Sequence, residues 1–247
     1  MNNLLLLLAP TLNVIVTGLF AAVVLRQYIQ RHRLYQLYWA IALVMAFVAT
    51  LSYVMMIAVQ PTSNAGVAFF RLYYTLGAAL MPSWLGLGSI ALVATPRVTR
   101  ICLGFLCVFS AIAITLIALA GIDMRQLSHI AGTPGAGILQ PSNGPWLITI
   151  IVLNSLGVIA VVGVAIYSAW QLKARQRTSS LLLANILILT GDILNAVAGT
   201  TALLGIKNVF WLIMTLGWAV FFYGVLLASN RPHRIATPNK QENVSPA

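Results

Sequence analysis

The apolar positions of this chain gather into seven long stretches, at about residues 4–25, 36–59, 66–94, 101–121, 146–171, 180–204 and 208–228. Each is near or above the ~20 residues that a helix needs to cross ~30 Å of hydrocarbon. The pattern predicts an all-α polytopic membrane protein, a seven-transmembrane-helix bundle over residues 1–229 with a short polar tail over 230–247. Composition agrees: 60% of the 247 residues are hydrophobic and only 7% are charged, where a soluble domain has ~25% charged residues. The connections are short, which leaves no room between spans for a soluble catalytic or DNA-binding domain.

Charge adds an orientation. Arg26, Arg31, His32 and Arg33 follow the first stretch, Arg97 and Arg100 the third, Lys173, Arg175 and Arg177 the fifth, and Arg231, His233 and Arg234 the seventh. The alternate connections are almost bare, with Asp123 and Arg125 in the fourth and Lys207 alone in the sixth. Positive charge is retained on the cytoplasmic side, so the N-terminus is expected outside and the C-terminus in the cytoplasm of a bacterial cell membrane. Tyr35, Tyr38, Trp39 and Trp170 fall near inner ends and Trp146 and Trp211 near outer ends, where interfacial aromatics belong. The net charge of +11 lies in short segments beside the spans, a distribution that points to anionic lipid headgroups at the cytoplasmic face and not to nucleic acid. Met1-Asn2-Asn3 lacks the basic start of a signal peptide, so the first stretch reads as a retained helix.

One connection is long. Residues 122–145 carry Gly132, Pro134, Gly135, Gly137, Pro141, Gly144 and Pro145, and the segment is expected either to cap the bundle or to form an unconstrained surface loop. Cys102 and Cys107 lie five residues apart in one stretch, poor geometry for a disulfide, and read as packing residues.

An internal repeat is also visible. Phe70-Arg-Leu-Tyr-Tyr-Thr-Leu-Gly77 aligns with Phe210-Trp-Leu-Ile-Met-Thr-Leu-Gly217 at five of eight positions, an offset of 140 residues. The same offset brings Leu43 and Thr50 onto Leu183 and Thr190, and a one-residue slip brings Leu12-Asn13 onto Leu153-Asn154. Spans one to three thus resemble spans five to seven, a 3+1+3 arrangement of parallel repeats. Sugar carriers of the SWEET type and microbial rhodopsins share that layout, so it speaks to architecture and not to function.

Polar residues inside the spans carry the functional signal, because an ionisable group in hydrocarbon is costly. Asp192 lies near the middle of the sixth stretch, and Asn185, Asp192 and Asn195 share a helical face by their spacing. Arg71 enters near the outer end of the third stretch, placed either to snorkel to the headgroups or to turn inward. The candidate site is an intramembrane polar pocket of Arg71, Tyr74, Trp84, Asn185, Asp192 and Asn195. Its alternative is a protonated Asp192 hydrogen-bonded to a neighbouring helix, with Arg71 as an interfacial anchor. Neither an intramembrane His for a serine dyad nor a His/Asp/Glu set for zinc is present in the pattern. A retinal Schiff base needs a lysine in the last span, and Lys207 precedes it. No enzymatic activity, metal or cofactor is expected.

Within the third span, Tyr74, Gly77, Pro82, Trp84 and Leu85 follow an order of aromatic entry, Gly, Pro and an aromatic-Leu pair. This order resembles the seven-helix N-terminal sensor region of some bacterial histidine kinases, as does the basic run Arg175-Gln176-Arg177 before span six. The resemblance covers about 20 residues of one helix closely and all seven spans in layout only. The kinase domains are missing from the chain as it stands, so the resemblance implies a sensing module that acts through a separate partner. Pro82 also predicts a kink, and Gly77, Gly86 and Gly88 a strip for close helix contact. The combined expectation is a receptor-like or sensor-like bundle, with a small-solute or proton-coupled carrier titrating at Asp192 as the alternative.

Overall fold

The computed structural model describes residues 3–135, 137–174, 179–204, 206 and 209–229. The 175–177 basic run, Lys207 and the 230–247 tail lie outside the described residues. The chain forms α1 (Asn3–Arg31), α2 (Leu34–Ala58), α3 (Asn64–Tyr73), a π-helical segment (Tyr74–Leu80), α4 (Met81–Val93) and α5 (Pro96–Leu119). Next come β1 (Gly121–Ile122), α6 (Met124–Leu127), β2 (Leu139–Gln140), α7 (Pro145–Ala174), α8 (Ser179–Leu203) and α9 (Phe210–Ser229). Seven helices are long and apolar enough to cross a membrane: Leu7–Arg31, Leu34–Ala58, Asn64–Val93, Pro96–Leu119, Pro145–Gln171, Leu182–Ala202 and Phe210–Ser229. The protein is a seven-helix, multi-pass membrane protein. The third span is composite, joining α3, the π-helical segment and α4 end to end.

The spans form a ring of six with one outlier. One packs on two, two on three, three on five, five on six, six on seven, and seven returns to one; the fourth span, α5, lies outside against three and five. Relabelling one, two and three as five, six and seven reproduces every neighbour in the ring, which is the order that a 3+1+3 arrangement requires. The ring brings together Phe20, Leu43, Met81, Leu85, Val161, Ile188, Trp218 and Phe221 in one buried cluster to which all six ring spans contribute. Trp218 and Phe221 are parallel at 6.0 Å between centroids, and Phe20 meets Phe221 edge-on at 5.5 Å. This cluster is an apolar septum across the bundle.

Glycine sets how closely the spans approach. A Cβ on Gly157 would stand 2.3 Å from the Pro82 carbonyl oxygen, and one on Gly86 would stand 2.9 Å from Gly157 Cα. Spans three and five therefore touch backbone to backbone. Gly191 and Gly217 do the same for six and seven, where a Cβ on Gly191 would lie 2.7 Å from the Gly217 oxygen. The expected strip of the third span divides between two neighbours: Gly77 faces Ala49 and Gly88 faces Trp39, both on α2, while Gly86 faces α7.

Three expectations change. Trp146 and Trp211 stand in the first turns of α7 and α9, near the expected ends, but are buried, because the long connection folds over them. Cys107 is exposed on α5 and is not a core packing residue, while Cys102 is half-buried. Pro82 lies within the continuous third span, but directly after the π-helical segment and not in regular α-helix, and that segment absorbs the break that proline imposes.

Substituting Gly157→Ala is expected to destabilise the protein by about 1–3 kcal/mol, the usual range for overpacking, read as a lower melting temperature in detergent. Gly163→Ala, whose Cβ would meet no atom within 4 Å, is expected to be neutral or stabilising. Equal losses in the two variants would show that close approach at Gly157 does not set stability.

Candidate functional site

Inside the ring, on the side of the septum away from the Arg26–Arg33 and Arg97–Arg100 connections, lies a cavity of about 570 Å³. Drug-sized ligands occupy sites of ~300–1,000 Å³. Met81, Leu85 and Trp218 of the septum form its floor. Polar groups reach it from four helices: Asn13 of α1, Thr50 of α2, Asn154 of α7, and Asp192 and Asn195 of α8. Tyr73, Tyr74, Trp211 and Trp218 give it aromatic walls.

The two halves contribute matching positions. Tyr74 and Met214 both border the cavity, as do Ala78 and Trp218, each pair 140 residues apart. Asn13 and Asn154, the asparagines paired by the slipped repeat, also border it from α1 and α7. The repeat is not exact at side-chain level, because Thr50 is buried while its counterpart Thr190 is exposed.

Several of these polar groups lack partners. Asp192 is 6% exposed and Asn13 2% exposed, and Asp192 Oδ2, Asn13 Oδ1, Asn195 Oδ1 and Trp211 Nε1 have no hydrogen-bond partner among the described residues. Buried polar atoms are normally paired, and each orphan costs about 1–3 kcal/mol. Asn195 Oδ1 lies over the bare Cα of Gly217, where a Cβ would be 2.3 Å away. Asn154 differs: its Nδ2 donates to the Ala78 carbonyl at 2.7 Å. That carbonyl lies four residues before Pro82, which has no N–H to offer it.

The long connection covers the cavity's far end. β1 and β2 pair antiparallel, with Gly121 opposite Gln140 and Ile122 opposite Leu139. Asp123 caps α6 by accepting from the Arg125 and Gln126 amides, and Leu127, Ile130, Ile138 and Leu139 point into the bundle core. Tyr53 donates to the carbonyls of Ile130 at 3.0 Å and Thr133 at 2.8 Å, and Tyr73 donates to Pro134 at 3.0 Å. Pro134 itself borders the cavity. Of the two expectations for this connection, the structure has the cap.

Three of the six sequence-predicted pocket residues, Tyr74, Asp192 and Asn195, border this cavity. The other three stand elsewhere. Arg71 does not turn toward Asp192: its guanidinium donates to the carbonyls of Ile117, Ala118 and Ala120 at the end of α5, the last two at 2.8 and 2.9 Å. Terminal helix carbonyls have no partner of their own and attract cations, so Arg71 caps the fourth span. Trp84 faces the same helix, donating from Nε1 to Ser110 Oγ at 3.4 Å. Asn185 lies beyond the septum and borders a second cavity of about 350 Å³ with Arg31, Gln36 and Trp39; its seven-residue separation from Asp192 preserves the helical face but not the depth. The sequence reading missed Asn13, Asn154, Trp211 and Trp218 as lining residues. The two asparagines were marked only by the repeat.

No protein-family model, curated protein or solved structure matches the chain.

Tyr53→Phe removes the one hydroxyl donor that the Ile130 and Thr133 carbonyls of the cap share, a loss of about 1 kcal/mol. Amide hydrogen exchange over residues 124–135 is expected to speed up while exchange in α8 and α9 stays unchanged. Unaltered exchange in the cap would mean that its apolar contacts alone keep it closed.

Proposed function

We propose that this protein is a receptor-like or sensor-like bundle that binds a small ligand in the central cavity and passes the signal to a separate partner. The observation that carries the reading is a cavity of about 570 Å³ lined by Asn13, Thr50, Asn154, Asp192 and Asn195, of which Asn13, Asp192 and Asn195 carry oxygens without a partner among the described residues. A ligand that bonds to them removes an energetic cost the free protein bears, and such a ligand biases whichever arrangement of the ring fits it. The cap and the septum close the two ends, as suits a binding site better than a conduit. The likeness of Tyr74, Gly77, Pro82, Trp84 and Leu85 to histidine kinase sensor regions supports the same reading.

The alternative is a small-solute or proton-coupled carrier in which Asp192 titrates. It is favoured by the paired halves and by the second cavity, which shares the septum with the first. Transport by this arrangement needs the septum to open and Asp192 to face each side in turn.

The proposed setting is a bacterial cell membrane, with the N-terminus and cap outside and the basic connections on anionic lipid at the cytoplasmic face. In a Cys102→Ala/Cys107→Ala background, Ser142→Cys should react with a membrane-impermeant maleimide in intact spheroplasts, and Arg33→Cys only after permeabilisation. The reverse pattern would invert the orientation.

Sealed liposomes separate the two functions. The receptor reading predicts that uptake of sugars, amino acids and amines under an imposed proton gradient equals that of protein-free liposomes, and that a signalling protein crosslinks to the chain in native membranes. Uptake above that background, abolished by Asp192→Asn, would establish the carrier instead.

A further inference from the structure

We propose that the central cavity binds a lipophilic primary amine, its ammonium group held by Asp192, and that this ligand enters sideways from the bilayer between spans five and six. The inference rests on reading the cavity as a ligand site and adds the ligand's chemistry and its route.

An incompletely partnered carboxyl group defines the head of the ligand. Asp192 lines the cavity, is more than nine-tenths buried, and its Oδ2 has no partner among the described residues. An ammonium group brings three donors and no acceptor, whereas a hydroxyl brings one donor with lone pairs of its own. Among the described residues no lysine, arginine or histidine borders the cavity; Arg71, the nearest intramembrane cation in sequence, is committed to α5. An anionic ligand would therefore meet a carboxyl group with no counter-charge, which is heavily penalised in a dry site. A cation meets that carboxyl group and the rings of Tyr74, Trp211 and Trp218, whose faces attract positive charge.

The remaining wall defines the rest of the ligand. Met81, Leu85, Leu147, Ile150, Val158 and Met214 offer no hydrogen bond and suit a hydrocarbon body.

The route follows from what is closed and what is open. The cap is fastened by Tyr53 and Tyr73, and the septum is packed. Between α7 and α8, however, Ser155, Ile159 and Thr200 border the cavity and are also exposed on the flank of the bundle. Gly199 stands among them, and a Cβ there would meet no atom within 4 Å. In a membrane-spanning bundle that flank faces lipid, so the opening admits solutes already dissolved in the bilayer.

The test uses radiolabelled decylamine and the full chain in phosphatidylcholine nanodiscs, with empty nanodiscs subtracted for partitioning. Saturable binding of one decylamine per chain is expected, with decanol and decanoate competing only at concentrations at least about tenfold higher, the weight of one charged hydrogen bond. Asp192→Asn should weaken binding by about tenfold or more on the same grounds while the melting curve is retained. Gly199→Trp should slow association and dissociation together and leave affinity unchanged; should it fail to fold, Ser155→Trp fills the same opening. Absence of saturable binding, equal competition by decanol, or full affinity in Asp192→Asn would overturn the amine. Unchanged rates in the tryptophan variants that fold would overturn the lateral route. Saturable binding of decanol or decanoate in place of decylamine would overturn the amine and leave the ligand-site reading standing. That reading falls separately, by solute uptake in liposomes.

Discussion

A proline inside a membrane span leaves a carbonyl with nothing to bind, and hydrocarbon supplies no water to take the place of the missing N–H. At Pro82 the orphan is the Ala78 carbonyl, and the side chain of Asn154, from the other half of the molecule, donates to it at 2.7 Å. Three consequences follow from this one bond. It joins span three to span five, one of the two places where the halves meet. It fixes the backbone next to the Gly86–Gly157 crossing, where no side chain separates the helices. It also holds the π-helical segment, which carries Tyr74, Gly77 and Ala78 to the cavity wall.

The same accounting explains the periphery. α5 packs chiefly on spans three and five, and its last carbonyls are met by Arg71 from span three. The cap has exposed-loop composition, yet its carbonyls at Ile130, Thr133 and Pro134 are taken by Tyr53 and Tyr73. Backbone groups that regular structure leaves unmet are thus answered by long side chains from the ring. Among the described residues the buried side-chain atoms still unmet are few, at Asn13, Gln36, Asp192, Asn195 and Trp211, and all of these residues but Gln36 line the larger cavity.

The hydrophobic pattern made the spans legible, since the length of an apolar run translates directly into a crossing helix. Asp192 and Asn195 were legible too, because a polar face on a membrane helix turns toward protein. Arg71 and Trp84 were not. They stand on either side of Tyr74–Leu80, and a π-helical stretch breaks the 3.6-residue period by which positions before and after it are assigned to a common face. Asn185 shows a different limit: helical phase gives direction, while the septum that divides one cavity from the other is built by six spans and has no local signature. Trp146 and Trp211 carried interfacial identity, and only the fold of the long connection determined that they would be covered.

The joints of the ring are unequal, and this bears on how a ligand acts. Spans six and seven meet through Gly191, Gly217 and Gly224, with a Cβ on Gly224 standing 2.9 Å from the Ile188 amide nitrogen. Helices that close are locked by backbone shape and move together. Spans five and six instead part beside the cavity, where Gly199 has free space and Ser155 and Thr200 reach the surface. Asp192 adjoins Gly191, where a Cβ would stand 2.6 Å from Phe221 Cβ, so the carboxyl group sits one residue from the contact between α8 and the septum. In the proposed reading, a ligand held at Asp192 therefore lies beside the most closely packed joint of the ring and next to the layer between the two cavities.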